Sequence, residues 1–132
     1  MAYQFSDYGY VDSSGAKSDV ASIAAGATHA TAGHAIALNG QSELFAQAYA
    51  TGHAAGSAGT IEFYLAFSLD GTNYSTAGTP IILTLNAASP VIAEPVVLDV
   101  RGVRALKVLK IINKDAAQQV DTLNVLFNAV QA

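Results

Sequence analysis

Apolar and polar residues alternate in the segment GTIEFYLAFSLDGTNY, residues 59–74, where an apolar side chain occupies every second position from Ile61 to Leu69. In a β-strand successive side chains point to opposite faces, so this period of two predicts a strand with one buried face. Asp70 and Gly71 follow it. Glycine accepts the positive φ of tight turns and aspartate can bond the backbone just after it, so the pair predicts a turn. A calcium-binding loop is not predicted at this turn, because it would need further acidic ligands.

The same alternation predicts further strands in the second half of the chain. Residues 81–85, 96–100 and 123–129 each place apolar side chains at every second position. Residues 103–112 are largely apolar on both faces, which is typical of a strand covered on both sides. Residues 91–94 lie between two prolines. Since proline cannot donate to a sheet ladder, this piece is expected at a sheet edge or in a connection.

The first third of the chain has a different character. Residues 13–60 are rich in alanine, glycine, serine and threonine, which bury little area to offset the cost of ordering the backbone. Residues 13–33 are therefore predicted to be extended or irregular, with a short helical turn at 19–25 as the alternative. Residues 35–38 and 42–51 are predicted as strands. The second of these also suits a helix, but the Asn-Gly before it and the Thr-Gly after it favour a strand.

Together these patterns predict an all-β protein with about eight strands and no helix, which is typical of an antiparallel β-sandwich or barrel. The predicted organisation is an extended N-terminal arm over residues 1–33 and a β-sandwich domain over residues 34–132. Two sheets packed face to face would share one core. Its predicted members are Ile61, Phe63, Phe67, Leu83, Leu98, Leu123, Val125 and Phe127.

Four aromatic residues stand close together near the N-terminus, namely Tyr3, Phe5, Tyr8 and Tyr10. Tyrosine combines a large apolar body with a polar tip and is enriched at protein interfaces for that reason. These residues are expected to anchor the N-terminal arm, either against a neighbouring subunit or over the protein's own sheet. They are candidate interface residues.

Charge is distributed unevenly in this chain, whose net charge is −4. One basic and eight acidic residues precede position 101, whereas five basic and two acidic residues follow from there. Arg101, Arg104 and Lys107 are therefore candidates for docking on an acidic partner, with pairing to the acidic part of the same chain as the alternative. Five basic residues without interleaved aromatic residues are too few to predict nucleic-acid binding.

The sequence shows no residue pattern typical of catalysis or metal binding. It has no cysteine, and His29, His34 and His53 lack the spacing of metal ligands. It also lacks a nucleophile elbow and a phosphate-binding glycine loop. We therefore expect a protein that is not an enzyme and has no cofactor. The N-terminus has no basic start followed by an apolar run, so neither export by the general route nor a membrane partner is expected.

Three segments carry a resemblance to a known class of proteins: GTIEFYLAFSLDGTNYS, VVLDVRGVRALKVLKIIN and DTLNVLFNAVQA. Over residues 59–130 the chain resembles small virion proteins of tailed phages, including head decoration, or cement, proteins. The resemblance implies a jelly-roll-like sandwich that is made in the host cytoplasm and attaches to the capsid exterior. It also implies the major capsid protein as partner and self-association as a homo-oligomer.

The layout of a strand, the SLDGTNY turn, another strand and VRGVRALKV is also similar to galactose-binding-like carbohydrate modules. This second resemblance implies a glycan-binding or adhesion module of a phage tail or cell surface. Aromatic residues usually line the sugar site in such modules. The chain has no tryptophan, which leaves Tyr64 and Tyr74 as the residues that could stack on a sugar.

Overall fold

A computed structural model describes residues 2–8, 19–30, 35–38 and 40–131, the first of these ranges by its backbone alone. The described residues form eleven strands and no helix. The strands are β1 (Ala2–Tyr8), β2 (Val20–Ile23), β3 (Thr28–Ala30), β4 (Ile36–Ala37), β5 (Glu43–Gly52), β6 (Thr60–Ser68), β7 (Thr79–Thr84), β8 (Pro90–Ile92), β9 (Val96–Asp99), β10 (Ala105–Asn113) and β11 (Val120–Gln131).

The strands form two antiparallel sheets, each with four rows. In sheet A, β1 and β2 share the row beside β11, β11 pairs with β5, and β8 and β9 share the row on the other side of β5. In sheet B, β3 and β4 share the row beside β10, β10 pairs with β6, and β6 pairs with β7. The about eight strands expected from the sequence correspond to β4 to β11, whereas β1, β2 and β3 lie in the segment predicted as an arm.

The order in which the chain visits the rows is that of a jelly roll. It alternates between the two sheets except at β6 and β7, which are neighbours in sheet B. β5 and β6 are consecutive in the chain but lie in opposite sheets, as do β10 and β11. This connectivity is characteristic of double-sheet jelly rolls. The prediction of an all-β, antiparallel, jelly-roll-like sandwich is confirmed.

The core lies between the two sheets and is built from alternate residues of each strand. In β5 every second residue is fully buried, beginning with Leu44 and continuing with three alanines, while the residues between them are half-buried. Phe63 and Phe127 are the largest fully buried side chains. Phe67 and Leu98 were predicted in the core, but they are only partly buried against it. Phe67 lies near the end of β6, and β9 is an edge row, so neither is enclosed on all sides.

β10 differs from the prediction of a strand covered on both faces. Its pairing with β6 skips one residue between Val108 and Lys110, which leaves Leu109 as a bulge. A bulge reverses which residues of a strand face inward. Accordingly, Leu106 and Ile111 are buried although they are an odd number of residues apart, and Lys107 and Lys110 lie half-buried on the outer face.

The structure adds strand pairing to the extended N-terminal arm that was predicted over residues 1–33. Three strands of this segment, β1, β2 and β3, pair with β11 or β10 of the same chain. Val20 and Ile23 are buried, so two bulky residues suffice to hold β2 on the core, and the alternative of a helical turn at 19–25 is wrong. The boundary of the arm at residue 33 stays a prediction, because residues 9–18 and 31–34 lie outside the described part.

Candidate functional site

One side of the sandwich carries most of the exposed apolar surface. Among the described residues, four large apolar side chains are exposed, and three of them, Ile82, Ile92 and Val97, lie on β7, β8 and β9. Their exposed fractions are 57%, 64% and 53%. The fourth, Leu69, lies in the loop after β6. We call β7, β8 and β9 the open side, because they are the edge strands, among those described, that carry these three side chains.

The open edge of β7 has backbone groups available for pairing. Just after β7, the Leu85 N–H donates to the Gly59 carbonyl at 2.9 Å. Hydrogen-bonded pairs recur at every second residue of an antiparallel ladder, so the backbone groups of Pro80, Ile82 and Thr84 point away from β6. Proline has no N–H to leave unpaired there, which protects one end of this edge.

A shallow groove of about 600 Å³ separates β7 from β8. Its lining is mainly apolar and includes Ile82, Val91 and Ile92, and Glu94 is its charged member. β8 begins at Pro90 and pairs only with β5 among the described strands, which confirms the predicted edge position of this proline-bracketed piece. An exposed apolar edge of this kind marks an interaction surface.

The outer face of sheet B combines lysine and tyrosine side chains. The Lys107 Nζ lies 4.4 Å from the centre of the Tyr74 ring, and the Lys110 Nζ lies 4.9 Å from the centre of the Tyr64 ring. Both distances are within the range of cation–π attraction. One face of each candidate sugar-stacking ring is therefore occupied by a lysine of the same chain.

The Glu62 carboxylate lies at the end of this face and contacts both Tyr64 and Lys114. The Tyr64 hydroxyl donates to Glu62 at 2.9 Å, and this hydrogen bond, with desolvation and the charge of Glu62, raises the pKa of the Tyr64 hydroxyl. Lys114 Nζ lies 3.9 Å from the same carboxylate. The acidic charge on this face is thus shared between a tyrosine and a lysine.

The turn after β6 is confirmed. The Asp70 carboxylate accepts hydrogen bonds from the backbone N–H groups of Thr72 and Asn73, from the Asn73 side chain and from the Ser68 hydroxyl. These bonds hold the pKa of the Asp70 carboxyl well below its usual range. Gly71 has a φ of +83°, the positive value that the turn requires. The Asp70 carboxylate therefore stabilises the turn in which it lies.

The three basic candidates do not form one patch. Arg101 is exposed and pairs with Asp99 at 2.7 Å, and hydrogen bonds from Arg101 lower the Asp99 pKa to about 2. Lys107 contacts Tyr74 on sheet B. Arg104 is exposed and forms no ion pair with any described residue. Internal pairing therefore accounts for Arg101, while Arg104 is available to a partner.

The four aromatic candidates cannot be placed as a surface. Tyr3, Phe5 and Tyr8 belong to β1 and sit opposite Val130, Ala129 and Leu126 of β11. Only their backbone is described, and Tyr10 lies outside the described residues. Their role in an interface stays a prediction.

The outer face of sheet A is acidic at both ends and has an apolar pair beside one of them. Phe45 and Val97 are opposite each other on β5 and β9, two positions along from Glu43 and Asp99. At one end, Glu43 is opposite Asp99. At the other end lies Asp121.

The acidic group at the Asp121 end is held by neighbouring polar side chains. The Asp121 carboxylate meets His53 Nδ1 at 2.8 Å and accepts a hydrogen bond from Gln119 at 2.8 Å. Burial raises the pKa of Asp121, but these two partners more than offset it, so the pKa is lowered. Close by, Asp19 accepts hydrogen bonds from the Tyr49 hydroxyl and the Asn124 side chain.

Within the described ranges, no three histidine, cysteine, aspartate or glutamate residues come together in a way that could hold a metal ion. His53 is paired with Asp121, and His29 sits opposite Ile111, with its Nε2 buried and unbonded. His34 lies outside the described residues. The described segments contain no helix that is long and apolar enough to cross a membrane.

The loop cluster at one end of the sandwich was not predicted from the sequence. Asp115 accepts hydrogen bonds from the backbone N–H groups of Ala117 and Gln118 at 3.0 and 3.1 Å, and from those of Ala58 and Gly59 at 3.3 and 3.4 Å. A side chain at Gly59 would place its Cβ 2.6 Å from the Asp115 Cα. Glycine is therefore needed there for the loops to approach, and the carboxylate joins the β5–β6 and β10–β11 loops.

The open side was also not predicted. Its signal in the sequence is the Ile81-Ile82 pair, because two adjacent isoleucines in an alternating strand cannot both face the core. Ile81 is buried and Ile82 is exposed.

No family model matches this chain, and no curated protein matches it. Among solved structures, it is similar to a family GH115 4-O-methyl-α-glucuronidase, BtGH115A, with specificity for decorated arabinogalactans. The identity is 11% over 95% of this chain, with a TM-score of 0.49, and the chain spans 18% of the length of that enzyme. It is also similar to a structure from Bacillus endospore appendages, which form a family of disulfide-linked pili. There the identity is 18% over 84% of each chain, with a TM-score of 0.34. At such TM-scores neither likeness bears on function.

Proposed function

We propose that this protein is a structural, non-enzymatic subunit that decorates a phage capsid from the outside and bridges neighbouring capsid subunits. The observation that carries the proposal is the open side of the sandwich, with Ile82 and Ile92 exposed on β7 and β8 at the groove between these strands. Apolar groups left exposed in this way are stabilised when a partner covers them. The capsid as partner comes from the resemblance of residues 59–130 to cement proteins.

The docking contact combines apolar side chains with backbone groups. The outward N–H and carbonyl groups of Ile82 and Thr84 can pair with an extended segment of the capsid protein, as in recognition by strand addition. The groove beside them accepts the apolar side chains of that segment. Such a contact holds a particle together without any chemical step.

Arg104 is the basic residue that we assign to docking. Of the three basic candidates it alone lacks a described partner within the chain, since Arg101 pairs with Asp99 and Lys107 covers Tyr74. Arg104 does not line the groove, so its exposed charge acts over a distance and steers the approach of the partner. It therefore contributes to the rate of attachment more than to its strength.

A glycan-binding role is less well supported. Sugar stacking requires a free aromatic face, and Tyr64 and Tyr74 each have one face covered by a lysine. Binding to glycans in solution, together with no binding to phage heads, would support the glycan-binding role instead.

The proposal is tested by binding the purified protein to phage heads that lack it, followed by sedimentation of the heads. Ile82→Lys and Ile92→Lys, each alone, place a charge in the apolar contact and should raise the apparent Kd about tenfold or more. Leu69→Lys is the matched control, because Leu69 is equally exposed but lies off the open side. It should bind as the unchanged protein does.

Two results would contradict the proposal. The first is a failure of the unchanged protein to bind heads at any concentration. The second is equal binding by the Ile82→Lys, Ile92→Lys and Leu69→Lys variants, which would place the contact elsewhere.

For Arg104, the expected result is a slower and less salt-dependent attachment of Arg104→Gln, with Arg101→Gln as its control.

A further inference from the structure

The two outer faces of the sandwich carry opposite charge. On sheet B the basic side chains are Lys107 and Lys110 of β10 and Lys114 just after it, and the acidic ones are Glu62 of β6 and Asp70 of the turn after β6. On sheet A the described acidic side chains outnumber the basic ones. The acidic residues are Glu43, Asp99, Asp121 and Asp19, and the basic residue is Arg101.

The acidic face contains charge that the chain itself does not balance. Glu43 and Asp99 lie directly opposite each other on β5 and β9, an arrangement of like charges that is destabilising in an isolated sheet. Arg101 forms hydrogen bonds to both oxygens of the Asp99 carboxylate, and the charge of Glu43 also attracts it. Glu43 and Asp99 together therefore carry one negative charge more than Arg101 balances. A cationic partner would reduce the repulsion between them.

The spacing of the charges on the two faces is similar. The basic side chains run from Lys107 in β10 to Lys114 just after it, seven positions apart, which corresponds to at most roughly 23 Å of extended chain. On sheet A the acidic ends lie beside positions 43 and 51 of β5, which are roughly 26 Å apart. The two rows can therefore overlap along most of their length.

Apolar groups lie between the charges on both faces. On sheet A, Val97 is exposed beside the half-buried Phe45. On sheet B, the half-buried Leu109 bulges out between Lys107 and Lys110. An apolar centre with a charged margin is the usual composition of a protein interface.

We propose that the outer face of sheet B in one copy of this chain docks on the outer face of sheet A in a second copy. Lys107 and Lys110 then approach the Glu43–Asp99 pair, and Leu109 meets Phe45 and Val97. The contact uses different surfaces on the two copies, so it leaves one free face of each kind and extends into a ring or a row of subunits. This inference goes beyond decoration and does not depend on the capsid.

The experiment is a measurement of self-association by analytical ultracentrifugation over a range of protein and salt concentrations. The unchanged protein should associate at low salt and dissociate as salt rises. Two variants reverse one face each: Lys107→Glu with Lys110→Glu, and Glu43→Lys with Asp99→Lys. Each variant alone presents two faces of like charge, so its Kd for self-association should rise about tenfold or more.

Mixing the two variants is the decisive step. Each then meets a partner with a complementary face, so the mixture should associate although neither component does alone. A control that places Glu at Ala55 and Ala116, in loops off both faces, should associate as the unchanged protein does. Thermal melting of every variant confirms that it is folded.

Three results would overturn the proposal. They are a protein that stays monomeric at low salt, association that persists in both charge variants, and a mixture that fails to associate. Head binding is measured on the same samples, and Ile82 and Ile92 are unchanged in them. A loss of self-association with head binding retained, or the reverse, therefore separates this inference from the decoration role.

Discussion

At the scale of single residues, Thr122 stands out because its backbone is strained. It has a φ of +49° where β11 shifts its register against β5. Positive φ is costly for a β-branched residue, roughly 1–3 kcal/mol. Its side chain is exposed, so it gains no core packing in return.

Thr122→Gly should therefore stabilise the protein. Relief of the strain exceeds the entropy that glycine adds to the unfolded chain, and we expect a gain of about 0.5–1 kcal/mol in the free energy of unfolding. Urea denaturation measures it. Thr51→Gly, on the neighbouring strand β5, is the control and should destabilise. A loss at both positions would show that Thr122 is not strained.

Asp115 predicts a dependence of stability on pH. The backbone hydrogen bonds from Ala117, Gln118, Ala58 and Gly59 outweigh desolvation and lower its pKa in the folded protein. The unfolded value is about 3.9. A group whose pKa is lowered on folding stabilises the protein above its unfolded pKa, and this contribution is lost as the pH falls toward the folded pKa.

Asp115→Asn should accordingly lower the Tm at pH 7, and its difference from the unchanged protein should shrink below about pH 4. Glu94→Gln, at an exposed position without described partners, is the control. Thermal melts at a series of pH values provide the measurement. A difference in Tm that is constant across the series would mean that the carboxylate charge is not what joins the loops.

At the scale of elements, β6 shows how far alternation predicts burial. The inward face of the strand was predicted correctly. Alternation predicts that Phe63 and Phe67 are equally buried, but only Phe63 is fully buried.

Phe63→Ala should lower the free energy of unfolding by about 3–5 kcal/mol. Phe67→Ala should cost clearly less, because its ring is partly in water already. Equal costs in urea denaturation would contradict this difference in burial.

Bulges and short strands are the elements that the sequence did not reveal. The bulge at Leu109 depends on the register between β10 and β6, which has no local signal in the sequence. β2 and β3 have four and three residues and gain their order from pairing with β11 and β10, so composition alone suggested an irregular arm. Long-range pairing determines that such short segments are strands, whereas the long strands β5, β6 and β11 are predicted by the alternation in their own sequence.

At the scale of the whole molecule, the sequence was sufficient for the sandwich but not for its surfaces. Alternation and turn residues predict β4 to β11, while the structure adds β1, β2 and β3 and shows the jelly-roll order of the rows. Which basic residues are available to a partner depends on contacts across the fold. The sequence cannot distinguish Arg101, held by Asp99, from Arg104.

The central claim is that the open side of the sandwich is the docking surface, and hydrogen–deuterium exchange with and without phage heads tests it most directly. On binding, exchange should slow in peptides covering residues 79–84 and 90–94, above all at the outward amides of Ile82 and Thr84. Peptides from the loop around Leu69 should not change. Unchanged exchange over residues 79–84 and 90–94, in protein shown to be bound, would contradict the claim.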